Sequence, residues 1–152
     1  MTPSEAVIRL RGFKNWLLNE FQKDIYVREV QGMTAQITNR VQGKGKDAFG
    51  GMFTPYSEKY KAKREKRGMQ TAYKNFTFEG FMWRDFGIKK AEKNKVILGG
   101  RTEDGQDKIY WNSQREKKNI IQPSQEEIKF LTKQINDAIL QGLMATGLFK
   151  KK

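Results

Sequence analysis

Apolar residues recur at helical spacing in the first part of the chain. Those that lie three or four positions apart predict one face of an amphipathic helix: Val7, Leu10, Phe13, Leu17 and Phe21. Thr2 and Glu5 stand at the spacing of a capping box, and Pro3 suits the first helical position. The pattern therefore predicts that a helix begins at Pro3.

The same periodicity returns after a weak middle. Between the two stripes, Ile25-Tyr26-Val27 is β-branched and aromatic, so either the helix breaks there or tertiary packing overrides the propensity. Gly43 is placed to end the helix. Residues 3–42 are thus predicted to be mainly helical, with the second apolar stripe formed by Val30, Thr34, Ile37 and Val41.

Glycine interrupts the helical pattern and a run of basic residues follows. The segment 43–56 is too rich in glycine for regular structure and is predicted to be a mobile loop. Its glycines and lysines lack the closing Gly-Lys-Ser/Thr of a phosphate-binding loop. A short basic helix is predicted over 57–67, with Ser57 as its cap and Gly68 at its end.

Residues 76–122 are predicted to form a sheet region with one short helix. Phe86 and Ile88 precede a second apolar run at Val96–Leu98, which predicts a β-hairpin turning at 91–94. The stretch 101–107 is predicted to be a polar loop, with Asp107 capping a helix through Ile109–Gln114.

The last predicted element is a helix over 124–142. Ser124 and Glu127 form a capping box, and the buried stripe continues through Ile128, Leu131, Ile135 and either Ala138 or Ile139. The order of elements predicts a single α+β domain over 1–152, in which N-terminal and C-terminal helices pack on a small antiparallel sheet.

Charge and missing residue types narrow the possible functions. The 152 residues include 30 Lys/Arg and 17 Asp/Glu, a net charge of +13, which favours a polyanionic or acidic partner. The sequence has no Cys and no His, so thiol catalysis, imidazole acid–base catalysis and Cys/His zinc sites are excluded. Glu79 and Asp85 are the only carboxylate pair beside an aromatic cluster. We expect no enzyme, no cofactor and no metal.

Two further absences concern location. No apolar run approaches the roughly 20 residues that span a bilayer, so we expect no membrane contact. The first residues lack the basic-then-apolar order of a signal peptide, so the sequence favours a soluble protein that is not exported.

The basic helix is the first candidate site. Its candidate residues are cations at three- and four-residue steps: Lys59, Lys63, Arg64, Lys66 and Arg67. They could share a surface that faces DNA or a neighbouring subunit, or they could form a solvated face without a partner.

The stretch 45–64 resembles the signature of phage virion-morphogenesis proteins, the head-to-tail joining and tail-completion proteins. The shared features are a glycine-containing loop, an aromatic residue, a proline, Tyr56-Ser57, then Tyr60 and a Lys/Arg run. Later segments follow the family's order through about residue 140: 78–82, 96–99, 109–112 and 120–124. The family's His-Gln-Phe-Gly is replaced here by Asn112-Ser113-Gln114-Arg115.

The resemblance implies a structural, non-enzymatic virion protein of a tailed bacteriophage. It implies copies arranged as a ring in the neck or tail top, assembled in the host cytoplasm, that contact a portal or adaptor on one side and tail proteins on the other. It also implies that the loop docks a partner, through Lys44, Lys46, Phe49, Met52, Phe53 and Tyr56. The basic helix would then meet packaged DNA without reading its sequence. The alternative hypothesis is a stand-alone basic nucleic-acid-binding protein.

Overall fold

A helical backbone runs without a break through residues 3–43 in the computed structural model, which describes residues 2–77, 79–92 and 95–149. The run comprises α1 (Pro3–Trp16), a π-helical segment (Leu17–Ile25), α2 (Tyr26–Thr38) and a second π-helical segment (Asn39–Gly43). The capping box of Thr2 and Glu5 is confirmed, because each side chain accepts a hydrogen bond from the other's backbone N–H.

Packing overrides propensity in the middle of this helix. Trp16, Phe21 and Tyr26 form a row of rings with centroid separations of 5.5 and 6.4 Å. Tyr26 also packs against the buried core. A π-helical turn shifts the register of the side chains that follow it. The alternative in which the helix breaks at Ile25 is therefore wrong.

The sheet is a single antiparallel hairpin. Strands β1 (Phe86–Glu92) and β2 (Lys95–Gly100) pair from Phe86 opposite Gly100 to Glu92 opposite Lys95, with a register shift between Ile88 and Lys90. The predicted hairpin is confirmed, although residues 91 and 92 continue the strand. Residues 93 and 94 of the predicted turn lie outside the described residues.

The helices after the glycine-rich segment differ from their predicted bounds. They are α3 (Glu58–Glu65), α4 (Phe81–Asp85), α5 (Glu103–Glu116) and α6 (Gln125–Ala145). The predicted polar loop over 101–107 is wrong because Thr102, not Asp107, caps α5: the Thr102 hydroxyl accepts a hydrogen bond from Gly105 N–H. The Ser124–Glu127 capping box of α6 is confirmed.

The core is built around the buried face of α2, which carries Val30, Met33 and Ile37. α6 packs along α2, and the hairpin packs on α2 as well. Residues from the rest of the chain complete the core: Val41, Phe53, Met82, Trp83, Phe86, Ile109 and Ile120. The fold is α+β, with the N-terminal and C-terminal helices flanking a two-stranded antiparallel sheet, as the sequence predicts.

The two ends of the chain meet beyond this core. The Trp16 ring lies directly against Gly142 of α6, and the Arg9 guanidinium donates to the Gly147 carbonyl. We call this pair of segments, residues 3–16 and 142–149, the terminal arm. No residue of α1 is buried. Within the described ranges, no helix has the length and apolar character needed to cross a membrane.

Candidate interaction site

The glycine-rich segment folds into a hydrogen-bonded turn. Asp47 Oδ1 accepts hydrogen bonds from the N–H groups of Phe49 and Gly51, both at 2.9 Å. The Asp47 N–H donates to the Gly51 carbonyl, and Lys46 pairs with Met52 as an isolated antiparallel bridge. Apart from this bridge, residues 45–57 have no regular structure, as the sequence predicts, and one aspartate supplies the acceptor that the backbone of the turn requires.

An ion pair ties this turn to the segment after α5. Lys118 Nζ lies 2.6 Å from Asp47 Oδ2, and the Asp47 side chain is 7% exposed. Burial alone would raise the pKa of Asp47. The hydrogen bonds from Lys118 and from the N–H groups of Phe49 and Gly51 outweigh burial, so the pKa lies below its ordinary value.

The residues predicted to dock a partner divide into two groups. Lys44, Lys46, Phe49 and Met52 are exposed, and Phe49 is 83% exposed at the tip of the turn. Phe53 is 3% exposed and packs edge-on against the Phe76 ring. The prediction that Phe53 docks a partner is wrong, because its ring is part of the core.

The Tyr56 hydroxyl is also used inside the fold, where it is hydrogen-bonded to Asn75. Its hydroxyl donates to Asn75 Oδ1 at 3.0 Å and accepts from the Asn75 N–H at 3.1 Å. Burial raises the pKa of Tyr56, which keeps the hydroxyl neutral and able to donate this bond. Only the ring, half-buried, is open to a ligand.

The predicted basic helix, residues 57–67, presents four of its five candidate cations to solvent. Lys59, Lys63, Lys66 and Arg67 are exposed. Arg64 is 1% exposed, so its predicted role at a DNA or subunit contact is wrong. The helical repeat explains this, since Arg64 lies one turn after Tyr60, on the side of α3 that packs on the protein.

Arg64 organises the irregular chain that follows α3. Its guanidinium donates to the carbonyls of Gln70 and Thr77 and to Asn75 Oδ1, and it lies 4.6 Å from the Tyr56 ring centroid. Buried charge is tolerated where hydrogen bonds and a ring face replace water. Arg64 is thus a structural cation within residues 56–77.

Asn75 is the second centre of this arrangement. Its side-chain oxygen accepts from Tyr56, Arg64 and the Thr77 N–H, while its carbonyl accepts from Trp83 Nε1 at 2.8 Å. The sequence offered no signal for this role, because a single asparagine in a polar stretch has no pattern of its own.

Glu116 of α5 binds the segments that precede and follow α3, through Thr54 and Lys74. Its side chain is 1% exposed, and Oε1 lies 2.5 Å from Lys74 Nζ. Oε2 accepts from the N–H and the hydroxyl of Thr54, at 3.0 and 2.7 Å. Burial would raise the pKa of Glu116, but these partners outweigh burial and lower it. Glu116 remains ionised and joins α5 to two loop segments.

A cavity of about 640 Å³ opens between the start of α3, residues 74–82 and α5. Glu79 lines it, whereas Asp85 does not. The Asp85 carboxylate accepts hydrogen bonds from the N–H and hydroxyl of Thr102, at 3.0 Å each for Oδ2, and thereby holds the start of α5. The two carboxylates are thus not brought together as an acid–base pair.

No family model matches this chain, and comparisons with curated proteins and with solved structures also find no match.

Asp47 and Glu116, two of the buried carboxylates, predict how stability depends on pH. Both pKa values are lowered by folding, from ordinary values of 3.8 for Asp47 and 4.5 for Glu116. The stability that the two carboxylates contribute to the folded state is therefore fully present above the ordinary pKa values. It is lost as the pH falls through the lower pKa values of the folded protein. We expect urea unfolding to give a constant free energy above about pH 5.5 and a steep fall below about pH 4.5.

Replacing these carboxylates should make the free energy of unfolding decrease less steeply at acid pH. Asp47→Asn and Glu116→Gln are expected to destabilise at neutral pH and to reduce the slope at acid pH. Glu92→Gln is the control, because the Glu92 side chain is 48% exposed in a surface pair with Lys90. A control that flattens the slope as much as the buried variants would contradict the assignment.

Proposed function

We propose that this chain is a structural virion protein of a tailed bacteriophage, a non-enzymatic, ring-forming subunit of the head–tail connection. The observation that carries the assembly part of this proposal is the apolar surface left open on the terminal arm. It includes Val7, Ile8 and Leu10 on α1, exposed at 47, 68 and 56%, and Met144 and Phe149 at the other end of the chain, at 39 and 48%.

This surface suits a subunit better than an isolated monomer. A capped helix of 14 residues with no buried residue receives little of the tertiary packing on which most helices depend. Five large apolar side chains left exposed on two neighbouring segments favour contacts with other macromolecules. Burying such side chains against a second copy would stabilise an assembly by about 1.5–3 kcal/mol for each large residue.

The phage part of the proposal is supported by the resemblance of residues 45–64 to the virion-morphogenesis signature. In a ring, the exposed cations Lys59, Lys63, Lys66 and Arg67 recur once per subunit, so even a modest basic patch becomes a continuous band. That band would meet passing DNA through its phosphates, or an acidic portal, adaptor or tail protein. Phe49 and Met52 are the exposed apolar residues of the turn that would dock such a partner.

The test is the oligomeric state of the full chain. Size-exclusion chromatography with light scattering should show assemblies that grow with concentration, and negative-stain micrographs should show rings. Ile8→Asp should raise the concentration at which assembly begins by about 10- to 100-fold, the equivalent of one buried isoleucine. Asn15→Asp adds the same charge at an exposed position of the same helix and should leave assembly unchanged.

The second candidate is a basic nucleic-acid-binding protein that acts alone. Tyr110 and Trp111 favour it, because these adjacent rings on α5 are 54 and 61% exposed and could stack on bases. A salt-dependent DNA titration on the same samples separates the two functions. A chain that stays monomeric and binds DNA tightly with a steep salt dependence would overturn the assembly proposal.

A further inference from the structure

The cavity between α3, residues 74–82 and α5 has the character of a binding site. Its volume of about 640 Å³ lies in the range of small-ligand pockets. Its apolar lining comes mainly from four rings, those of Tyr56, Tyr60, Phe76 and Phe81. Phe81 is 50% exposed, so the site has a large aromatic surface that is not used by the core.

The charges around the cavity are unequal. The lining includes three cations, Lys74, Lys108 and Arg115. It includes two carboxylates, Glu79 and Glu116. Glu116 is already neutralised by Lys74 and by Thr54. Lys108 pairs with Asp104 at the surface, where both side chains are more than 40% exposed, and this ion pair contributes little. Glu79 is the remaining carboxylate of the lining, so Lys108 and Arg115 leave a net positive charge and are the cations best placed to receive an anion.

The rings themselves disfavour a cationic ligand. Arg64 lies 4.6 Å from the Tyr56 centroid, and Arg84 and Lys108 lie 4.6 and 5.5 Å from the Phe81 centroid. A ligand cation that sought these ring faces would meet positive charges of this chain. An anionic group beside an aromatic ring fits the same surroundings.

The shape favours one inserted ring over a bound strand. Proteins that bind single-stranded nucleic acid place their aromatic side chains along a groove, where successive bases stack. Here the four rings converge on one concavity. A single aromatic anchor that fills a pocket is how protein partners commonly obtain most of their binding energy.

We propose that this cavity binds an aromatic side chain with a neighbouring carboxylate, presented by an acidic segment of a partner protein. The ring enters among Tyr60, Phe76 and Phe81, and the carboxylate pairs with Arg115 and Lys108. This inference does not depend on a phage neck or on ring formation, because the terminal arm contributes nothing to the cavity.

Small probes can test this chemistry on the full chain. N-acetyl-phenylalanine carries both the ring and a negatively charged carboxylate. N-acetyl-phenylalanine amide keeps the ring but is neutral, and phenethylamine keeps the ring but carries a positive charge. Titrations followed by NMR chemical-shift changes should show millimolar binding of the carboxylate probe and at least about five-fold weaker binding of the other two. Arg115→Gln and Phe81→Ala should each weaken the carboxylate probe by about five-fold or more.

Matched variants on the surface outside the cavity serve as controls. Lys129→Gln and Trp111→Ala remove one charge and one exposed ring, and neither should change the affinity. Arg115 is exposed, so Arg115→Gln should leave the fold intact. This variant therefore still tests the inference if Phe81→Ala impairs folding. Equal binding of the three probes, tighter binding of thymidine monophosphate, or no binding of any probe would overturn the inference.

Discussion

Replacing Arg64 with lysine is expected to destabilise this protein by about 2–4 kcal/mol although it keeps the positive charge. Arg64 is 1% exposed, and its planar guanidinium reaches the Gln70 and Thr77 carbonyls and Asn75 Oδ1 at once. An ammonium group is a compact charge on a flexible stem, and it cannot span three separated acceptors. Each acceptor left buried without a donor costs about 1–3 kcal/mol.

Urea denaturation with a constant m-value is the measurement, because a change in midpoint alone then reports stability. Arg67→Lys is the matched control: it is the same substitution three residues later, at an exposed position, and should change the free energy of unfolding by less than about 0.5 kcal/mol. Equal effects of the two substitutions would show that Arg64 acts as a surface cation.

Arg64 also shows where prediction from the sequence reaches its limit. The position of the basic helix was predicted from Ser57, a charge run and Gly68, which are local signals, although the Ser57 side chain makes no capping hydrogen bond. The buried side of that helix depended on Asn75 and Thr77, which are eleven and thirteen residues away in an irregular segment. The run of six cations over 58–67 gave no indication of which one the rest of the chain would surround.

The same distinction between local and distant causes applies to the rest of the fold. Both capping boxes, the hairpin and the stripe of α2 were predictable, because neighbouring residues determine them. The start of α5 was not, since the Asp85 carboxylate that holds Thr102 lies 17 residues earlier in the chain, just before β1. The hydrogen-bonded turn at 47–51 was not predicted, because the glycine content of the segment gave no sign that the Asp47 carboxylate organises its backbone.

Gly100 provides the second large effect, at the junction of β2 and α5. A Cβ atom at Gly100 would lie 2.3 Å from the backbone nitrogen of Gln106 and from the carbonyl carbon of Gly105. These are backbone atoms of the first turns of α5, so no rotamer change can relieve the overlap. Gly100→Ala must push α5 away from the sheet and disturb the bonds of Asp85 with Thr102.

We expect Gly100→Ala to cost about 3 kcal/mol, at the upper end for overpacking, measured by urea or thermal unfolding. The neighbouring Gly99→Ala is the control. Its Cβ would meet the flexible Lys89 side chain at an ordinary 3.8 Å, and its effect should stay within about 1 kcal/mol. Because α5 carries Lys108, Arg115 and Glu116, Gly100→Ala should also weaken the carboxylate probe in the cavity, whereas Gly99→Ala should not. If Gly100→Ala is as stable as Gly99→Ala, then β2 and α5 do not approach as closely as the backbone contact requires.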